Sequence, residues 1–131
     1  VIVVDASALI EVLLNTPAAA KVSERLFDRA DTLHAPHVLD LEVAQVLRRY
    51  ALSGEMSVER AEQALEDLAD LPLNRYPHDI FLGRIWALRR NFTAYDAAYV
   101  ALAEALDAPL ITRDAALAKG PGHRARVEVL R

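Results

Sequence analysis

Four carboxylates stand where a small polar site would need them. Asp5 closes the run Val1-Ile2-Val3-Val4, and Glu42 lies in Leu41-Glu42-Val43-Ala44. Asp96 ends Thr93-Ala94-Tyr95-Asp96, and Asp114 follows Leu110-Ile111-Thr112-Arg113. There is no cysteine, so a thiolate metal site and a disulfide scaffold are both excluded and a reducing compartment is expected. A carboxylate set without thiols suits a hard, oxygen-seeking cation. Mg²⁺ or Mn²⁺ takes one or two carboxylates, keeps several waters and leaves positions open for a phosphate. The matching chemistry is phosphodiester hydrolysis, in which the cation neutralises developing charge and acidifies a water. Each acid also has a plainer reading. Asp5 and Asp114 are suited to capping the helices that follow them, and Thr93-x-x-Asp96 has capping-box spacing. Glu42 fits a cap less well, because it borders an apolar stripe and is expected to be partly buried. Spacing alone leaves open whether the four groups meet.

The elements that must position them follow from the hydrophobic period. Val1–Val4 is β-branched and too apolar for a half-exposed strand, so it reads as a buried central one. Ala6–Leu14 and Ala18–Arg29 have helical spacing, separated by Asn15-Thr16-Pro17, with Val22, Leu26 and Phe27 expected on one face. Thr32–Ala35 reads as a strand closed by Pro36. Val38–Leu52 is an amphipathic helix with Leu39, Val43, Val46, Leu47 and Tyr50 as its buried stripe, ended by Ser53-Gly54. A further helix starts at Ser57, with Ala61, Leu65, Leu68 and Leu71 as its apolar line, and Pro72 stops it. Leu73–Tyr76 is a brief strand, Ile80–Arg90 and Ala94–Leu106 are helices, and Pro109–Thr112 is a strand. Ala115–Lys119 is a short helix and Arg126–Leu130 a final strand. Strands alternating with helices imply one α/β domain over residues 1–131, a parallel sheet covered on both faces. Ligands of such sheets bind beyond the carboxyl ends of the strands, where Asp5 and Asp114 are expected.

Charge at first argues against a nucleic-acid partner: 15 Lys and Arg against 19 Asp and Glu give a net charge of −4. That figure averages two unlike regions. Residues 1–83 hold 7 basic and 14 acidic groups, net −7, whereas residues 84–131 hold 8 and 5, net +3. If Asp5, Glu42, Asp96 and Asp114 hold a cation, the remainder of the chain is neutral and residues 84–131 rise to +5. Arg113, Arg89 and Arg90 are the preferred RNA-contact candidates, since the guanidinium fork suits phosphate, although scattered arginines also solvate helix faces. Arg113 ranks first because it lies between Thr112 and Asp114.

The motifs resemble those of the PIN-domain family, especially its VapC-type toxin ribonucleases. Val1-Ile2-Val3-Val4-Asp5-Ala6-Ser7 is similar to the family's opening, and Leu41-Glu42 through Arg49 to its second acidic motif. Thr93-Ala94-Tyr95-Asp96-Ala97-Ala98-Tyr99 resembles the third motif, and Leu110-Ile111-Thr112-Arg113-Asp114 the fourth. The four come in the family's order and cover residues 1 to about 117. The resemblance implies a parallel sheet of strand order 3-2-1-4-5 flanked by helices, and an Mg²⁺- or Mn²⁺-dependent endoribonuclease. It implies that Asp5, Glu42, Asp96 and Asp114 are the acidic quartet, which is both catalytic and metal-holding, with Ser7 and Thr112 orienting the site. It also implies a homodimer or toxin–antitoxin hetero-oligomer, restrained by a cognate antitoxin.

Other classes fit less well. The histidines His34, His37, His78 and His123 supply no zinc pair on one helix, and a ribonuclease using histidine as its base is the minor possibility. A receiver domain would want paired acids at the first strand and a later lysine. A haloacid-dehalogenase-type phosphatase would want Asp-x-Asp, where this chain has Asp5-Ala6-Ser7. A non-catalytic PIN-like RNA- or protein-binding module is the main alternative. Trp86, among Ile80, Phe81, Ile85 and Leu88, is expected in the core or an interface. No apolar stretch reaches the ~18 residues of a membrane span, no basic leader is visible, and a cytoplasmic protein is expected.

Overall fold

The computed structural model describes residues 1–27 and 30–131. Its five strands are β1 (Ile2–Val4), β2 (Leu33–Pro36), β3 (Leu73–Tyr76), β4 (Leu110–Thr112) and β5 (Val127–Val129). They form one parallel sheet in the order β3-β2-β1-β4-β5. Between the strands run α1 (Ala6–Leu13), α2 (Ala19–Phe27), α3 (Val38–Ser53), α4 (Val58–Asp70), α5 (Leu82–Ala87), α6 (Ala94–Leu106) and α7 (Ala115–Lys119). The expected fold class and strand order are both found.

The topology explains where a site must lie. The chain steps β1 to β2 to β3 in one direction, then returns across the sheet to β4 and continues outward to β5. Right-handed crossovers therefore place α1–α4 on one face and α5–α7 on the other. The connections leaving β1 and β4 diverge to opposite faces, which opens a crevice at their carboxyl ends. Asp5 and Asp114 are delivered to that crevice by the first turns after β1 and β4.

The core is built on β1 and α6. Ile2, Val3 and Val4 are essentially inaccessible, as a strand with neighbours on both edges and helices on both faces requires. In α6 the seven residues Ala97–Ala103 are all buried, four of them alanines whose small side chains let the helix lie close to the sheet. In α3, Leu39, Val43 and Leu47 face inward, and Gly54 ends the helix with a left-handed φ of 79°.

Four details differ from expectation. The segment expected as one helix over Ile80–Arg90 is a single 3₁₀ turn (Asp79–Phe81), then the short α5, then turns from Leu88 to Phe92 tied by Arg89 N–H to Trp86 O and Asn91 N–H to Leu88 O. Within it Ile85 and Leu88, three apart, face inward, so Trp86 is turned outward and is 68% exposed rather than in the core. Phe27 and Leu65 are likewise exposed, because Val22 with Leu26, and Ala61 with Ala64 and Leu68, already fill the inward stripes of α2 and α4. The last two residues of the expected Ala18–Arg29 helix lie outside the described residues.

Candidate active site

Asp5 sits at the end of β1 with an extended backbone and caps α1, its Oδ1 accepting the Ala8 N–H at 3.1 Å. It does more than cap. The same oxygen accepts the Ser7 hydroxyl at 2.7 Å, and Oδ2 accepts the Thr112 hydroxyl at 2.5 Å. Thr112, fully buried at the end of β4, in turn accepts the Asp114 N–H at 2.9 Å, while Ser7 Oγ accepts the Arg113 N–H at 2.9 Å. Ser7 Oγ and Thr112 Oγ1 are also 3.2 Å apart. Two hydroxyls thus stitch the ends of β1 and β4 together around one carboxylate. Both hydroxyls, of Ser7 and of Thr112, donate directly to Asp5.

The other three acids arrive from separate elements. Glu42, half-buried on the first turns of α3, accepts the Tyr99 hydroxyl on Oε1 at 2.6 Å. Asp96 lies in the first turn of α6, and the capping role there falls to Thr93, whose hydroxyl accepts the Asp96 N–H at 3.1 Å. Asp114 caps α7 by accepting the Ala116 N–H at 2.9 Å. So two of the four are caps, as the plainer reading has it, and two are not.

Electrostatics shows that the four groups sense one another. Burial raises the pKa of Asp5, opposed by Thr112, Ser7 and the Ala8 N–H and reinforced by the charge of Asp114. Burial raises Glu42 as well, opposed by the Tyr99 hydroxyl and reinforced by Asp96 and Asp5. Asp96 is raised by burial and then by Asp114, against a hydrogen bond from Thr93. Each acid is thereby linked to two others, in a closed circuit. Among the described residues no arginine or lysine forms an ion pair with Asp5, Glu42, Asp96 or Asp114.

That donor set fits a divalent cation of the Mg²⁺ type. It is all oxygen, negatively charged and, among the described residues, without an ion-paired counter-charge. Among the described residues no three His, Asp or Glu side chains close on one point, so a cation would take a few carboxylates and fill the rest of its shell with water. This is how Mg²⁺ is ordinarily bound, whereas a dry all-protein cage would suit Zn²⁺ or Ca²⁺ better.

Beside the acids runs an open groove of about 650 Å³ between α1 and α3. Ser7 and Glu42 line its inner part, Ile10, Leu41 and Val46 supply apolar walls, and Gln45, Arg49 and Tyr95 add polar groups. Leu41 and Tyr95 are largely exposed on it. The arginines chosen from sequence lie elsewhere. The Arg113 side chain turns away to donate to Leu130 O at 3.3 Å and sits 3.8 Å from Glu11. Arg89 stacks its guanidinium 4.8 Å from the centroid of Trp86, and Arg90 is exposed on the following turn. His34 is held in β2, its ring nitrogens bonded to Thr32 (2.7 Å) and Tyr76 (2.6 Å).

Sequence reasoning assigns no role to Tyr99. A signal for Tyr99 exists: it follows Asp96 by three residues, one helical turn, so the two project from neighbouring points of α6.

Comparison with known proteins bears directly on this arrangement. Residues 2–122 match the family model described as PIN domain. The chain is 46% identical over 130 residues to Ribonuclease VapC1 of Mycobacterium tuberculosis, covering 98% of this chain and 97% of that protein. Among solved structures, VapBC2 from Rickettsia felis, bound to a DNA fragment from its promoter, superposes with a TM-score of 0.72 at 12% identity, covering 97% and 96% of the two chains. A toxin–antitoxin complex from Klebsiella pneumoniae gives a TM-score of 0.63 at 20% identity, with 87% of each chain covered. With the family model spanning nearly all of the sequence and a VapC ribonuclease matched at 46% identity over almost the whole of both chains, the chain belongs to the PIN-domain family and, within it, to the VapC group.

Proposed function

We propose that this protein is an endoribonuclease that hydrolyses RNA phosphodiester bonds with the help of Mg²⁺ or Mn²⁺, and that it is the toxin of a toxin–antitoxin pair. One observation carries the reading. Four carboxylates, following β1 and β4 and from the first turns of α3 and α6, interact electrostatically at the carboxyl edge of the sheet, and among the described residues none of them is ion-paired with a basic side chain. The relative VapC1 carries the name ribonuclease, which supports the substrate class.

Asp5 and Asp96 would hold the principal cation, with Glu42 and Asp114 completing the site through waters or a second ion. When bound, such a cation lowers the pKa of a coordinated water and neutralises charge developing on the phosphate. Ser7 and Thr112 hold the Asp5 carboxylate in place by donating to both of its oxygens, which opposes the rise in pKa that burial causes. The groove between α1 and α3 gives an extended chain access to the acids, and its exposed Leu41 and Tyr95 suit a partner such as an antitoxin segment. Arg113, Arg89 and Arg90 remain proposed phosphate contacts, and pairing into a homodimer or with an antitoxin is part of the same reading. Among the described residues no helix is long and apolar enough to cross a membrane.

The test is cleavage of a mixed single-stranded RNA by the purified protein with Mg²⁺, with EDTA, and by Asp5→Asn and Asp96→Asn. Cleavage that needs the cation and disappears in both variants supports the proposal. Absence of cleavage under any divalent cation would assign the fold to a non-catalytic binding module.

A further inference from the structure

The four acids are not equally well held. Asp5 accepts three hydrogen bonds from its surroundings, whereas Glu42, the longest and most flexible of the four, accepts one, from Tyr99 at 2.6 Å. Tyr99 is 1% exposed, and its ring is fixed among the buried residues of α6. A single buried hydroxyl therefore connects two elements, the flank of α3 at Glu42 and α6 one turn beyond Asp96.

We propose that Tyr99 is a positioning residue, which fixes the Glu42 carboxylate in register with Asp5 and Asp96 so that its other oxygen is presented to the cation site. The inference rests on the nuclease reading above. Glutamate loses considerable rotamer freedom when it is held in one orientation, and a rigid buried donor makes that arrangement the resting state. With Phe at this position the ring packing is kept and the restraint is lost.

The experiment is a double-mutant cycle with Tyr99→Phe and Glu42→Gln, read by RNA cleavage and by calorimetric titration with Mn²⁺ alone. Tyr99→Phe is expected to lower kcat about 10-fold or more and to weaken Mn²⁺ binding comparably, in the 10- to 100-fold range of residues that orient metal ligands. KM for RNA should stay within about twofold, because uniform substrate binding is untouched. Added to Glu42→Gln, Tyr99→Phe should cause little further loss, since both act through one carboxylate. A purely structural tyrosine would instead lower stability with additive effects on rate, and that outcome overturns the proposal, as does a Tyr99→Phe protein with wild-type kcat and Mn²⁺ affinity. Should Tyr99→Phe not fold, Glu42→Asp withdraws the carboxylate from the hydroxyl with the ring untouched; it must show the same losses, and wild-type behaviour overturns the proposal. If the wild type cuts no RNA, the nuclease reading fails, while the Mn²⁺ titration still decides the role of Tyr99.

Discussion

Replacing Asp96 by Asn should make the cation-free protein more stable. Asp96 is half-buried, its pKa is raised by burial and by the charge of Asp114, and its own charge raises Glu42. A carboxylate with a raised folded pKa binds protons more tightly folded than unfolded, so it costs stability above that pKa and the cost is relieved as pH falls through it. Partial exposure screens the repulsion, which leaves about 0.5–1 kcal/mol to be recovered. With about 2.1 cal/mol/K of unfolding entropy per residue over 131 residues, that corresponds to a Tm rise of about 2–4 °C. The Thr93 cap is untouched, because it binds the backbone N–H of residue 96. Scanning calorimetry in EDTA at pH 7 and again near pH 4 is the assay, and the gain should shrink at the lower pH. Excess Mn²⁺ should invert the order, since a ligand at about 100 times its Kd adds about 2.7 kcal/mol to the wild type. Asp5→Asn removes the same charge but also turns an amide N–H₂ or a lone carbonyl toward the two hydroxyls that donate to Asp5. Losing such a buried bond costs about 1–3 kcal/mol, so this variant should melt lower than wild type. An Asp96→Asn protein that melts lower in EDTA, or whose shift ignores pH, would refute repulsion among the acids.

Other outcomes follow from single contacts. Thr112→Val removes the donor to Asp5 and the acceptor for the Asp114 N–H, and should cost about 1–3 kcal/mol in chemical denaturation together with most RNA cleavage. Glu104 is held down to about 2, chiefly by the bidentate bond from Arg84 and also by the Arg124 N–H. Its contribution is therefore complete above the unfolded glutamate pKa and lost as pH falls toward 2, so Arg84→Ala should cost about 2–3 kcal/mol at neutral pH and flatten the acid limb of the stability profile. Gly120→Ala would drive a Cβ into the ring of Phe92, a buried side chain, and should lower stability by about 1–3 kcal/mol in urea titration.

The parts of the molecule that were legible in its sequence are those fixed by local pattern. The β-branched run Val1–Val4 reads as a buried strand, found over Ile2–Val4 with Val1 exposed, and the acid that follows it emerges at the sheet's edge. The same reasoning carried Asp114 to the end of β4, and the apolar border of α3 put Glu42 at partial burial. What local pattern does not encode is which of two apolar neighbours faces inward when a helix is short. Ile85 and Leu88 took the inward positions of the segment after β3, and Trp86, although larger, was left outside with Arg89 over its ring. Nor does spacing reveal partners distant in sequence: the Tyr99–Glu42 bond joins residues 57 apart, and Thr112–Asp5 joins residues 107 apart. The charge balance was similarly uninformative until the acids were located, since a net charge of −4 is indifferent to four of them sharing one edge.

A crystal soaked in Mn²⁺ and measured for anomalous scattering tests the central claim most directly. The account predicts a peak in contact with Asp5 and Asp96, with Glu42 and Asp114 facing it directly or through waters, and no such peak in Asp5→Asn. A site left without a peak at saturating Mn²⁺, or an ion bound elsewhere while the four carboxylates stay apart, would contradict it.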